Sequence, residues 1–148
     1  MLENLLIGLA TMAVCLILQA ILLVVALRFY TRHQISSESP SALSALLILL
    51  SVMILLVIGN LAQLFIWALL FQMLGEFNTL SDAFYHSAVN FSTLGYGDLV
   101  MSERHRLLGP LEAINGVLMI GFSTAALITT FQDSIEKIRS QRRNNTTD

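Results

Sequence analysis

Charged residues are scarce in this chain, and their scarcity indicates which broad class of protein it belongs to. Only 12% of the 148 residues are charged and 55% are hydrophobic, whereas roughly a quarter of the residues in soluble domains are charged. The single cysteine, Cys15, excludes a disulfide within the chain, and its apolar surroundings favour a packing role over a reactive thiol. This composition predicts a membrane protein.

The signatures of enzymes and of metal sites are also missing. The three histidines, His33, His86 and His105, have no cysteine or carboxylate at the spacing of a transition-metal site. Neither a nucleophile motif nor a phosphate-binding loop is present, so we expect no enzyme activity, no cofactor and no small-molecule substrate. The basic stretch 137–143 favours anionic lipid headgroups over nucleic acid, because it follows an apolar run.

Three apolar runs are present instead: Asn4–Leu27, Ala42–Leu74 and Leu107–Phe131. At about 1.5 Å per residue, each is long enough to cross a hydrocarbon core about 30 Å thick. A signal peptide is the alternative for the first run. However, that run exceeds the apolar region of about 7–15 residues in such peptides and lacks a basic start. The runs predict an all-α membrane protein with three transmembrane helices.

The basic residues are distributed unevenly between the two sides of this arrangement. Three crossings place the connector after the first run and the C-terminal tail on the same side. Arg28 and Arg32 lie in that polar connector, four more basic residues lie in the tail, and acidic residues offset the two in the last loop. The positive-inside rule therefore predicts a cytoplasmic C-terminus and an N-terminus outside the cell membrane.

A shorter segment, Glu76–Asp98, separates the last two runs. Thr79 is a typical helix N-cap, and Asp82 three residues later suits both a capping box and the positive end of a helix. About three helical turns are predicted for Leu80–Phe91. They lead directly into the hexapeptide Thr93-Leu94-Gly95-Tyr96-Gly97-Asp98.

The glycines in this hexapeptide permit an unusual backbone. Consecutive carbonyls can point toward one axis if the dihedrals are partly left-handed, which Gly95 and Gly97 allow. Several copies around an axis would then offer rings of carbonyl oxygens in place of the hydration water of a cation. The Thr93 hydroxyl would add a ring at one end. A chance turn in an exposed loop is the alternative, but it does not explain the capped helix before the hexapeptide.

The stretch from about Ala42 to Phe131 resembles the pore module of potassium channels, which consists of an outer helix, a re-entrant pore helix, a selectivity filter and an inner helix. The resemblance implies a potassium channel in which K⁺ is the permeant ligand of Thr93, Leu94, Gly95, Tyr96 and Gly97. One such segment per chain implies a homotetramer surrounded by membrane lipids. The implied organisation is an N-terminal transmembrane helix (1–30), a cytoplasmic connector (31–41), the pore module (42–132) and a basic tail (133–148).

The resemblance also implies residues that support the filter. Tyr85 occupies a position from which we expect it to reach Asp98, and His86 one from which we expect it to reach Tyr96 of a neighbouring chain; simple packing is the alternative for both. Ser92 stands where these channels often have a second threonine, and Leu94 replaces the usual valine. Selectivity is expected to survive the second change, because the Leu94 side chain would point away from the ions.

In the last apolar run, the resemblance implies that Gly116 is a hinge. Gly121 lies in the same run, and close helix packing through small residues, including Ala125 and Ala126, is an equal alternative for these glycines. Alignment on the sequence 124–127 places Ile120, Thr124 and Ile128 along a cavity below the filter. Glu112 is the one acid within the last two runs, with a structural or solvated role and pH sensing both open.

Two other functions compete with a potassium channel. One is a non-conducting membrane subunit that keeps the pore fold, and the other is a weakly selective cation channel. The intact Tyr96 and Gly97 argue against both. No run of regularly spaced arginines is present, so no voltage sensor is expected.

The predicted orientation can be tested with a reporter that is active only outside the cytoplasm. Fused before Met1 it should be active, and fused after Asp148 it should be inactive, because the basic residues flank the other side. A cytoplasmic signal at Met1 would contradict this topology.

Overall fold

The structure, a computed structural model, describes residues 1–35 and 42–144. The described residues contain no strand and four helices: α1 (Leu2–Ile35), α2 (Ala42–Met73), α3 (Leu80–Phe91) and α4 (Leu108–Asn144). Helices α1, α2 and α4 each contain a stretch long and apolar enough to cross a membrane, whereas α3 has only 12 residues. The prediction of an all-α protein with three such helices is confirmed.

Two helices continue beyond the predicted boundaries. α1 continues to Ile35 rather than ending near residue 30, and α4 continues to Asn144, through most of the tail predicted at 133–148. Neither extension contains glycine or proline, and half of the residues in the α4 extension are good helix formers. Charge therefore marks where the apolar stretch ends and not where the helix ends. The remaining part of the predicted connector, 36–41, and residues 145–148 lie outside the described residues.

Gly75 terminates α2, as the sequence predicts. Its φ of +73° is in the left-handed region that favours glycine. The Gly75 amide donates to the Gln72 carbonyl at 3.0 Å, and the Glu76 amide donates to the Phe71 carbonyl at 3.1 Å. These bonds satisfy carbonyls that the helix end would otherwise leave free.

The four helices share one core near the N-terminal ends of α1, α3 and α4. Trp67 and Phe71 of α2 are fully buried there with Cys15 of α1, Ala83 of α3 and Leu108 of α4. α1 packs against both α2 and α4, and α3 lies between α2 and α4. Burial of Cys15 agrees with the packing role expected from its apolar surroundings.

Gly116 allows α4 to approach the end of α3. A Cβ atom at this position would lie 2.0 Å from the Phe91 carbonyl oxygen, which is too close for any real contact. At Gly121, by contrast, a Cβ would meet nothing within 4 Å in the chain. Helix α4 is continuous through both glycines. The contact therefore favours the packing alternative for Gly116 over the hinge.

Substitution of the two glycines should have different effects on stability. Gly116→Ala must displace the backbone of α3 and should lower the free energy of unfolding by about 1–3 kcal/mol. Gly121→Ala is the matched control and should be neutral or raise it by up to about 1 kcal/mol, because alanine favours a helix. Thermal unfolding in detergent micelles measures both. Equal effects of the two substitutions would contradict the packing interpretation.

Candidate functional site

The N-terminal end of α3 is fixed by the predicted cap. Thr79 has extended dihedrals, and its hydroxyl oxygen accepts a hydrogen bond from the Asp82 amide at 3.1 Å. The same hydroxyl donates to the Asp82 carboxylate at 2.8 Å. Asp82 thus lies in the first turn, where a negative charge stabilises the helix.

The C-terminal end of α3 is capped by the segment that follows it. The Thr93 amide donates to the Asn90 carbonyl at 2.8 Å, and the Leu94 amide donates to the Val89 carbonyl at 2.9 Å. The Ser92 hydroxyl donates to the Ala88 carbonyl at 2.6 Å. The free carbonyls of the last turn therefore bind the amides of the segment and direct its path away from the helix.

In segment 93–98, every second residue from Thr93 to Gly97 has a positive φ. Thr93, Gly95 and Gly97 have φ values of +62°, +59° and +72°. Left-handed dihedrals were predicted for the two glycines but not for Thr93, where a β-branched residue rarely adopts them. Among the described residues, no hydrogen bond reaches the carbonyl oxygens of 93–97. Residues 93–97 are all exposed within the single chain, so these carbonyl oxygens are accessible to a partner from outside the chain.

The apolar side chains of this segment are exposed within the single chain. Leu94 is 59% and Tyr96 67% exposed. A cavity of about 370 Å³ lies beside the segment, with His86, Asn90 and Thr93 among its lining residues. Exposed large apolar groups beside a cavity are typical of a surface that another chain covers.

Tyr85 lies where the sequence predicts, next to the end of the segment. Its hydroxyl donates to the Asp98 carboxylate at 2.7 Å. This bond raises the pKa of Tyr85 and lowers the pKa of Asp98 from their ordinary values, because it stabilises the neutral phenol and the ionised carboxylate. The bond joins the first half of α3 to the residue that follows Gly97.

His86 has partners other than the predicted one. Its Nδ1 lies 2.9 Å from the Leu99 carbonyl and its Nε2 lies 2.8 Å from the Asn90 side-chain amide. Since a carbonyl only accepts, Nδ1 carries the hydrogen and Nε2 accepts from Asn90. Both ring nitrogens are thereby engaged within the chain, and the bond to Tyr96 of a neighbouring chain stays a prediction. Asn90, which sequence reasoning missed, fixes the histidine ring.

The two connections flanking α3 are joined by a group that the sequence did not reveal. Glu76, after α2, accepts hydrogen bonds from the Ser102 amide and hydroxyl at 2.6 and 2.7 Å and contacts the His105 ring. Burial opposes ionisation, but these bonds outweigh it and lower the pKa of Glu76. The residues are 26 and 29 positions apart from Glu76, so no sequence pattern could have linked them.

The residues predicted on α4 lie on two different faces. Ile120, Thr124 and Ile128 are all exposed, as residues four apart on one side of a helix, and Gly121 is exposed beside them. Glu112, by contrast, is fully buried and accepts a hydrogen bond from the Ser87 hydroxyl of α3. A solvated position for Glu112 is therefore ruled out, and its contact with α3 supports the structural role.

Comparisons of the sequence with known proteins identify a family and a distant relative. The sequence profile of an ion channel family matches residues 52–133, more than half of the chain. The chain is also similar to the potassium voltage-gated channel subfamily A member 2 of Oncorhynchus mykiss, with 35% identity over 57 residues, which cover 38% of this chain and 12% of that protein. No solved structure matches.

The chain therefore belongs to the ion channel family, among the potassium channel pore domains that its sequence resembles. The matched residues begin within α2 and end within α4, so that α1 lies outside them.

The setting of His86 generates a pH dependence of stability. Burial lowers the pKa of His86 below its ordinary value of 6.5, despite the opposing effect of the Leu99 carbonyl. The folded protein therefore binds a proton at His86 less tightly than the unfolded chain does. The contribution of neutral His86 to the free energy of unfolding is present above about pH 6.5 and is lost as the pH falls through the lower pKa of the folded state.

We expect stability to decrease more steeply between about pH 7 and about pH 5 in the wild type than in His86→Gln, which cannot titrate. Denaturant unfolding in micelles at stepped pH measures the two slopes. The difference between them isolates His86 from the other titrating groups, and identical slopes would contradict the assignment.

Proposed function

We propose that this chain is the subunit of a potassium-selective channel that conducts K⁺ passively through residues 93–97. One observation carries the proposal: among the described residues, no group donates a hydrogen bond to the five carbonyls of 93–97, and the backbone has positive φ at Thr93, Gly95 and Gly97. Because these residues are exposed within the single chain, their carbonyl oxygens are available to bind a ligand from outside it. A dehydrated cation is the partner that a ring of carbonyl oxygens suits.

The position of α3 supports a cation at this place. The carbonyl end of a helix has a partial negative charge, and α3 ends at Phe91, directly before the segment. We interpret α3 as a re-entrant pore helix that points this end toward the permeation path. Irregular backbone at membrane depth is tolerated where protein or water surrounds it.

A tetramer is the assembly that we propose around this path. Each chain supplies one segment 93–97, whereas rings of carbonyls need several. The exposure of Leu94 and Tyr96 supports a surface that neighbouring chains cover. The exposed residues Ile120, Thr124 and Ile128 would then face a water-filled cavity between four copies of α4.

The function can be tested by K⁺ flux from liposomes that contain the purified protein. We expect K⁺ efflux that Ba²⁺ blocks and no comparable Na⁺ flux, because the carbonyl oxygens replace the hydration shell of the larger ion. Equal Na⁺ and K⁺ flux would identify a weakly selective cation channel. Absence of any flux would favour a non-conducting subunit.

A matched pair of glycines provides the control. Gly97 and Gly75 have nearly equal φ values of +72° and +73°, and a Cβ at either would meet nothing within 4 Å in the chain. Alanine therefore introduces similar backbone strain at both positions. Gly97→Ala should abolish K⁺ flux, whereas Gly75→Ala, outside the filter, should retain it. Loss of flux in both variants would show that strain alone is responsible.

A further inference from the structure

α1 lies outside the family-matched region, yet a single stripe of its residues is buried against the rest of the chain. Asn4, Cys15 and Ala26 are buried at 11-residue intervals, and so are Gly8, Gln19 and Tyr30. Eleven residues make three helical turns of about 3.67 residues each, so these six residues form one line along the helix. Three of the six have polar side chains in an otherwise apolar helix.

Asn4, the first of these polar residues, holds the N-terminal end of α1 in place. The Asn4 side chain, which is buried, donates to the Arg104 carbonyl in the connection before α4. The Glu3–Arg104 ion pair beside it spans 3.8 Å between largely exposed groups, and exposed pairs contribute little. The buried bond to the backbone is therefore the main tie at this end.

Gln19 joins α1 to both other spanning helices at mid-length. Its amide nitrogen donates to the Ser123 hydroxyl of α4 at 3.1 Å, and its carbonyl oxygen accepts from the Gln63 amide of α2 at 2.8 Å. All three side chains are buried. In an apolar setting, polar side chains of this kind hold helices together.

Tyr30 fastens α1 to α4 at the end far from segment 93–98. Its hydroxyl donates to the Asp133 carboxylate at 2.7 Å and lies 3.0 Å from the Ser134 hydroxyl. Since the Tyr30 hydroxyl donates its one hydrogen to Asp133, it can only accept from Ser134. The Ser134 hydroxyl hydrogen is therefore shared between the Tyr30 oxygen and the Thr130 carbonyl oxygen. Tyr30 is 4% exposed and Asp133 is half-buried, so the ring side of this contact is shielded from water.

The contacts of α1 lie on one particular side of α4. Ser123, Thr130 and Ser134 are on the buried face, whereas Ile120, Thr124 and their exposed neighbours form another. Contacts with α1 on the buried face hold α4 away from the space that its exposed face lines. Movement of the end of α4 toward the exposed side would stretch the Tyr30 contact, and movement the other way would press α4 against α1.

We propose that α1 is a gating helix, in which the contact of Tyr30 with Asp133 and Ser134 keeps the inner end of α4 away from the pore axis and thereby favours the conducting state. This inference rests on the proposed channel function. It gives α1 a function of its own, beyond support of the pore module. Closure of the pore would require the Tyr30 contact to break in each subunit.

Single-channel recording in planar bilayers tests the proposal with Tyr30→Phe, which removes one oxygen atom and keeps the ring. The open-to-closed ratio should fall at least about tenfold, which corresponds to about 1.4 kcal/mol. Unitary current and K⁺ selectivity should not change, because the filter is untouched. The control is Thr31→Val, since the Thr31 hydroxyl bonds only to the Arg28 carbonyl of its own helix among the contacts described.

A double-mutant cycle with Asp133→Ala shows whether the two residues act through their mutual contact. The effects of Tyr30→Phe and Asp133→Ala on the open-to-closed ratio should not add, because either substitution breaks the same bond. Additive effects, or an unchanged or higher ratio in Tyr30→Phe, would overturn the proposal.

A measurement that needs no ion flow separates this proposal from the channel function itself. Spin labels on a cysteine at Gln132, an exposed residue near the end of α4, report distances between subunits of the assembly. Tyr30→Phe should shift these distances toward shorter values, while Thr31→Val should not. Unchanged distances would overturn the gating function of α1 even if K⁺ flux is observed, and shorter distances would support it even if no flux is observed.

Discussion

The carbonyl groups of residues 93–97 impose the constraint on which the rest of the structure depends. They lack hydrogen-bond partners among the described residues, and a segment of this kind holds its conformation only if the surrounding structure fixes it. α3 provides the first support, because its last carbonyls bind the amides of the segment. The Tyr85–Asp98 and His86–Leu99 bonds provide the second, since they hold the residues that follow.

The supports are themselves positioned by close packing of α3 against its neighbours. Gly116 lets α4 approach the Phe91 backbone, and the Ser87 hydroxyl of α3 lies within hydrogen-bond distance of both the Leu64 carbonyl of α2 and the Glu112 carboxyl of α4. Glu76, in the connection before α3, bonds to Ser102 and His105 in the connection after it. A short helix that cannot cross a membrane is therefore held in place by three separate contacts.

Polar residues within the apolar helices follow the same principle. Gln19, Gln63 and Ser123 are buried, and Gln19 is hydrogen-bonded to each of the other two. Unpaired, each would destabilise the fold, because burial removes its hydrogen bonds to water. Paired, they fix the position of α1 relative to the pore module, and this arrangement makes α1 part of the mechanism that we propose for gating.

Local features of the sequence determined the helices, their caps and the conformation of the glycines. Runs of apolar residues predicted the three spanning helices, Thr79 and Gly75 predicted a start and an end, and Gly95 and Gly97 predicted left-handed backbone. Each of these depends on residues adjacent in the chain or on the freedom of glycine. The resemblance to potassium channel pores rests on a motif of the same local kind.

Contacts between distant residues were decided by the tertiary structure alone. The partners of His86, the packing of Gly116, the burial of Glu112 and the Tyr30–Asp133 bond each join residues from different elements. Which residues meet depends on the angles at which helices pack, and these angles result from the shapes of many side chains at once. The sequence by itself therefore determined what each helix is and where the candidate site begins. The tertiary structure decided what holds that site in place and gave α1 its contacts with the pore module.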